Sequence, residues 1–239
     1  MESQIKLLKF LVIIFFVIIY FFSKKSFFII FLSWTINLII IKNVQLLQNH
    51  TYKNIFSFIR RTLYLFPLLV PIIFWRDSLK FDKFNTSCLN LIEGGFIGIF
   101  FLLPHLQKYR LYFNKEFIKF LEKKKLNYVM ANLYSLIFGA ILEEIYFRKI
   151  LISLTQKSLG ILSILFSTIL FFFHHYSTNK TNKFTNIDFL NQFIFGIVTG
   201  GFYFYYQDIM ITIVAHLIYN LPLVILDIKL LEKKNIVYK

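Results

Sequence analysis

The chain reads as all-α, a polytopic transmembrane helical bundle of about eight spans, and three observations carry that reading. Hydrophobic residues fill 57% of the 239 positions and charged residues only 16%, a balance far more apolar than that of a soluble domain. The apolar residues fall in long blocks separated by polar segments, the pattern of membrane spans and their connections. The formal charge of +15, from 27 basic and 12 acidic residues, is concentrated between those blocks, where cations anchor helix ends at the headgroups. A nucleic-acid surface would need its cations on one face of a soluble fold, so nucleic acid is excluded as a partner. The single cysteine, Cys88, rules out an intrachain disulfide and a cysteine-rich metal site.

In chain order the blocks run Leu7 to Phe22, Phe27 to Ile41, Thr62 to Trp75, Leu89 to Leu103, Leu133 to Leu154, Leu159 to His175, Phe189 to Tyr206 and Met210 to Leu226. Several fall short of the ~20 residues that cross a bilayer, so they must borrow flanking residues, and one or two are candidates for re-entrant or interfacial segments. The first block ends in Ser23-Lys24-Lys25-Ser26 with no small-residue cleavage pattern, so it is expected to be a retained helix and not a signal peptide. Between the fourth and fifth blocks, Tyr109 to Asn127 mixes Leu111, Phe113, Phe117, Ile118, Phe120 and Leu121 with five lysines. That stretch fits an amphipathic helix on the bilayer surface or a polar extension of the next span. Ser177 to Asp188 has no periodicity and reads as a loop. No repeat or low-complexity linker divides the chain, so one integrated membrane domain is expected. Within it, residues 1–125 form a transmembrane scaffold with an interfacial segment, and residues 126–239 form the functional core and a basic tail. With eight spans the termini share a side, and that side then holds most of the basic residues, which places both termini in the cytoplasm.

Only Glu93, Glu143 and Glu144 are acidic residues lying well inside apolar blocks, and three of the five histidines, His174, His175 and His216, lie in a block or at its end. Ionisable groups are costly to keep in a span and mark functional sites. On a helix, Glu144 and Arg148 share a face at a spacing of four and can form a charge-assisted pair. Glu143 points about 100° away and is left free, which suits a general base. Phe171 and His175 share a face of the next helix, and His216 and Asn220 share a face of the last one. Two carboxylates, two imidazoles and an amide thus converge from three helices, enough to activate a water and stabilise an oxyanion. A rotation of the helix would turn His174 inward in place of His175. At 1.5 Å per residue, His216 lies only about 12 Å beyond the turn at Asp208, so the last segment is expected to be tilted, shortened or re-entrant. The bland readings are a structural ion pair for Glu144 and Arg148, a packing role for Phe171, and a helix cap or kink at Asn220 before Leu221-Pro222. Glu93, beside Gly94-Gly95, is left unassigned.

The ordered set Glu143-Glu144-x-x-x-Arg148, Phe171-x-x-x-His175 and His216-x-x-x-Asn220 resembles the three motifs of the CPBP family of intramembrane proteases. That family includes type II CAAX prenyl proteases, bacteriocin-processing and immunity proteins, and homologues of a lysostaphin-resistance protein. The resemblance covers about Leu133 to Leu226, with Gly196 to Gly201 and the turn Gln207-Asp208 also family-like. It implies a helical bundle with a catalytic cavity open to one face. It also implies Glu143 as the base assisted by His175, Glu144 held by Arg148, and His216 with Asn220 as oxyanion stabilisers. Lys149 stands where the family commonly has a glycine, so helix packing after Arg148 is expected to differ.

Whether the site is metal-free or holds zinc is left open by the resemblance, because mixed carboxylate and imidazole donors such as Glu143, His175 and His216 bind zinc. The expected function is that of a membrane-embedded endopeptidase acting on membrane-associated proteins or peptides, lipid-anchored ones included, with membrane lipids as the other partner. The expected location is a bacterial cell membrane. The alternative is a non-proteolytic immunity or scaffold protein on the same fold. A transporter would show inverted-repeat halves, which the sequence lacks.

Overall fold

The computed structural model describes residues 25–43, 53–74, 86–177 and 185–233, and among them all regular structure is helical. We number the helices α1 (Lys25–Asn43), α2 (Lys53–Phe74), α3 (Cys88–Leu102), α4 (Leu106–Phe113), α5 (Lys115–Phe120), α6 (Leu126–Glu144), α7 (Ser153–Leu159), α8 (Leu162–Ser177), α9 (Asn186–Tyr206) and α10 (Ile209–Glu232). A 3₁₀ turn, Leu103–His105, joins α3 to α4, and a π-helical segment, Ile145–Ile152, joins α6 to α7.

Among the described residues, four helical stretches are long and apolar enough to cross a bilayer: Ile55–Phe74, Cys88–Phe113, Asn186–Tyr206 and Ile209–Glu232. Ile29–Ile41 and Leu162–Ser177 are apolar but shorter. The expected first span, Leu7 to Phe22, lies outside the described residues, and among the described residues four of the expected eight spans meet the length and apolarity of a crossing. The fifth block falls within one continuous helical run from Leu126 to Leu159, whose carboxylates and cations lower its mean apolarity. The outer faces of the bundle carry large apolar side chains such as Leu89, Phe96 and Phe100, each more than 60% exposed. Charged groups such as Glu144 and Arg148 are instead fully buried. A surface apolar outside and polar inside is what lipid contact selects, and the chain is an integral membrane protein.

Three local features position the site. First, α3 and α10 make the most extensive helix pair, because Gly94 and Gly98 stand where no side chain fits. A Cβ at Gly94 would meet the carbonyl oxygen of Ile211 at 2.5 Å, and one at Gly98 the carbonyl oxygen of Ala215 at 2.7 Å. Small residues at this four-residue spacing let two backbones approach closely. Second, the turn before α10 is fixed by Gln207, in the left-handed region at φ 54°, and by Asp208, whose carboxylate accepts from the amide of Met210 at 2.9 Å. The Asn90 amide donates to the same carboxylate at 2.7 Å, so α3 and α10 are also tied at that end. Third, α10 is one helix of 24 residues, so the last segment is not shortened.

Two expectations about connections change. The single amphipathic helix expected over Tyr109 to Asn127 is divided, because Asn114 leaves the helical conformation and its side chain accepts from the amides of Glu116 and Phe117 to start α5 afresh. This cap satisfies donors that a continued helix would have bonded internally. The loop expected to run to Asp188 ends earlier, since Thr185 and Asp188 form a reciprocal capping box that opens α9 at Asn186.

Candidate active site

Glu143 and Glu144 close α6, and the rotation between consecutive helical positions sends them to different surroundings. Glu144 is fully buried and accepts from Arg148 Nε at 3.1 Å through one oxygen and from His216 Nδ1 at 2.9 Å through the other. Glu143 faces a cavity, and three histidines surround its carboxylate. His174 Nε2 stands 3.3 Å from Oε1, while His175 Nε2 and His216 Nε2 stand 3.6 Å and 4.0 Å from Oε2. Carboxylate and imidazoles expose no more than 11% of their side chains.

Arg148 lies inside the π-helical segment and is 0% exposed. Its Nη1 donates to Ser167 Oγ at 3.2 Å, Ser167 in turn bonds the carbonyl of Phe147, and the guanidinium lies 4.6 Å over the Phe171 ring. Nη2 is buried without a hydrogen-bond partner among the described residues, and the ring face beneath the cation offsets part of that loss. Phe171 therefore does more than pack. Its ring also lies 4.3 Å, centre to centre, from that of His175, so one aromatic side chain separates the ion pair from the imidazole.

The hydrogen bonds decide which ring nitrogens carry protons. His216 donates Nδ1–H to Glu144, and His175 donates Nδ1–H to the carbonyl of Phe171 at 3.1 Å. In their neutral forms both therefore turn an Nε2 lone pair toward Glu143 Oε2. His174 has the opposite arrangement: its Nε2 bonds Glu143, and its buried Nδ1 has no partner among the described residues. The rotational choice between His174 and His175 does not arise, because the end of α8 brings both to the same carboxylate.

Asn220 behaves differently. It lines the cavity, but its amide donates to the carbonyl of Leu136 at 3.1 Å, and no hydrogen bond joins it to Glu143 or His216. Glu93 is partly buried on α3, with one carboxylate oxygen lacking a partner among the described residues, and it does not line the cavity. Sequence reasoning missed Ser167, although Ser167, Phe171 and His174 fall at i, i+4 and i+7 on the buried stripe of α8. That periodicity was a legible signal for both Ser167 and His174.

The cavity holds about 680 Å³. Glu143, His174, His175 and His216 form one end, and Tyr64, Ser135 and Asn220 line its walls. Its other end carries Arg61, Asn132, Lys124 and Asp227, joined in one chain: Arg61 donates to Asn132, and Asn132 and Lys124 both donate to Asp227. From Asn132 to Glu143 the cavity follows α6 for about 16 Å at 1.5 Å per residue. It draws on residues of both halves of the chain.

Glu143, His175 and His216 each offer one donor atom within 4.8 Å of the others. A carboxylate and two imidazole lone pairs form a set that fits a single divalent cation, and the Nδ1–H bonds to Glu144 and Phe171 are the outer-shell orientation such ligands show. The same set, all acceptors, equally fits a water donating both its protons.

Residues 125–222 match the type II CAAX prenyl endopeptidase Rce1-like family. No curated protein and no solved structure matches the chain at a significant level.

Proposed function

From the match of residues 125–222 to the type II CAAX prenyl endopeptidase Rce1-like family and the geometry of the site, we propose that this chain is a membrane-embedded endopeptidase of the CPBP kind. Its substrates are membrane-associated proteins or peptides, including chains anchored by a prenyl group. The observation that carries the proposal is the convergence of three imidazoles on the cavity-facing carboxylate of Glu143, beside a second carboxylate neutralised by a buried arginine.

In this reading the hydrolytic water sits against Glu143 Oε2 and the Nε2 lone pairs of His175 and His216. His174 holds Oε1, so Oε2 stays turned to the water. Glu143 takes a proton as the water oxygen attacks the scissile carbonyl carbon, giving a tetrahedral oxyanion. The proton then passes to the departing nitrogen, the C–N bond breaks, and an amine and a carboxylate leave. Glu144 keeps His216 in its required tautomer, and Arg148 fixes the Glu144 carboxylate in place through its Nε–H bond. Zinc, held by Glu143, His175 and His216, would supply Lewis-acid polarisation of the water and the carbonyl when bound.

The test compares cells carrying the parent protein with cells carrying Glu143→Gln at matched membrane abundance, profiling new peptide termini in the membrane fraction. Termini present with the parent should fall by about 10² to 10⁴ in rate of appearance with the variant, the range of a lost general base. Identical profiles would overturn the endopeptidase reading. The purified parent, offered zinc and desalted, should retain about one ion per chain by elemental mass spectrometry, and His175→Ala or His216→Ala should retain none.

A further inference from the structure

We propose that Arg60 and Arg61 bind an acidic side chain of the substrate, placed about five residues from the scissile bond; this rests on the endopeptidase reading above. The charges that line the cavity do not balance. Three are carboxylates, Glu143, Asp188 and Asp227, and four are cations, Arg60, Arg61, Lys108 and Lys124. Lys124 stands 2.5 Å from Asp227. Asp188 accepts from the amide and hydroxyl of Thr185 and has His105 at 3.6 Å and Lys108 at 4.0 Å. Glu143 stands at the far end among its histidines. The two arginines are left without a carboxylate.

Arg61 donates to the hydroxyl and carbonyl of Ser57 and to the amide oxygen of Asn132, and its guanidinium lies 5.6 Å from the centre of the Tyr128 ring. All of these partners are uncharged. They fix the planar fork and leave its charge unanswered. Arg60 is half-buried in the cavity wall, and no ion pair among the described residues includes it. Both arginines lie in the apolar stretch Ile55–Phe74, where an ionisable group marks a functional site. Cations serving only to anchor a helix end would face the headgroups; these two, with Tyr64, line the cavity instead.

Distance sets where the acidic residue falls. Arg61 bonds Asn132, and α6 rises about 16 Å from Asn132 to Glu143. An extended peptide advances about 3.3 Å per residue, so about five residues join a bond held at Glu143 to an anion held at the arginines. The terminal carboxylate of a tripeptide leaving group would stop about 10 Å out, short of the pair. Leu136, Ala140 and Leu223 line the walls between the two ends, so the intervening positions take apolar side chains. A lipid phosphate is the other anion such cations meet. The substrate is favoured because the pair shares one cavity with Glu143, whereas the exposed Lys115 and Lys123 lie outside it and remain for headgroups.

The test starts from the full-length protein in native membranes and the termini that Glu143→Gln abolishes. Cleaved sites should carry Asp or Glu about four to six positions from the bond, on one consistent side, well above its frequency in uncut segments. The purified protein in neutral detergent is then given a synthetic peptide spanning such a site. Replacing the acidic residue by its amide should lower kcat/KM by about tenfold, the fold-change of one hydrogen bond to a charged group. The loss should lie in KM with kcat kept, as for binding made equally in ground and transition states. Arg60→Gln should reduce the preference for the acidic over the amide peptide to about threefold or less. Arg60→Glu should turn the preference toward a peptide with Lys at that position, a reversal that a folding defect does not produce. If no terminus distinguishes the parent from Glu143→Gln, the endopeptidase reading fails and takes this inference with it. Termini without an acidic residue at that distance, or equal KM for the two peptides, overturn the inference alone. Equal KM together with a rate that depends on Arg60 only when phosphatidylcholine vesicles also carry phosphatidylglycerol assigns the pair to a lipid headgroup and overturns it too.

Discussion

Arg148 illustrates how much one side chain holds here. It is fully buried, pairs with Glu144, bonds Ser167 and covers Phe171. Arg148→Met would leave Glu144 buried with only His216, and breaking a buried pair in this way costs about 3–5 kcal/mol. A Tm measured in detergent should fall accordingly, and Arg148→Lys should not rescue it, since an ammonium cannot bond Glu144 and Ser167 as a planar fork while stacking on Phe171. The double variant Glu144→Leu, Arg148→Met should recover much of the stability, because no charge is left unpaired. It should stay inactive, because His216 loses the carboxylate that fixes its tautomer. At this scale the sequence was informative where spacing alone sets proximity: Glu144 to Arg148 is an i, i+4 relation on one helix. It did not reveal that Asn220 gives one of its two amide protons to a carbonyl 84 positions away in sequence.

Among the elements, the closest fit is between α3 and α10. Gly98→Leu would drive a side chain into the backbone of Ala215, beside His216, and neither backbone can yield as a flexible side chain would. Overpacking of this kind costs about 1–3 kcal/mol or more. The expected result is a lowered Tm together with loss of processing, whereas Gly201→Ala, at a position with nothing within 4 Å, should leave both unchanged. The π-helical segment Ile145–Ile152 follows directly on the two glutamates. Such segments arise at functional sites, where an extra residue per turn re-aims side chains. Nothing in the sequence from Ile145 to Ile152 marks the change of period, since six of its eight residues are buried and no polar face is left to read it from. Lys149 falls within it.

For the molecule as a whole, the cavity depends on helices far apart in sequence meeting at both of its ends. At the end away from Glu143, Asp227 is 4% exposed and joins α10 to Asn132 of α6 and, through it, to Arg61 of α2, while Lys124 donates to the same carboxylate. Asp227→Ala should destabilise the fold by about 1–3 kcal/mol, the cost of leaving such donors unmet, visible as a lower Tm with Glu143 chemistry intact at low temperature. The sequence by itself determined the helical membrane class, because bilayer burial demands long apolar runs whose backbone bonds are internal. It also determined the identity of the costly polar residues, because hydrocarbon leaves them few places to be. The tertiary structure decided which of them meet: both His174 and His175 reach Glu143, Glu144 is shared between Arg148 and His216, and Tyr64 of α2 joins the same cavity. Periodicity describes one helix at a time. The facing of one helix toward another is set by side chains, such as Gly94 and Gly98, that fit only when both partners are present.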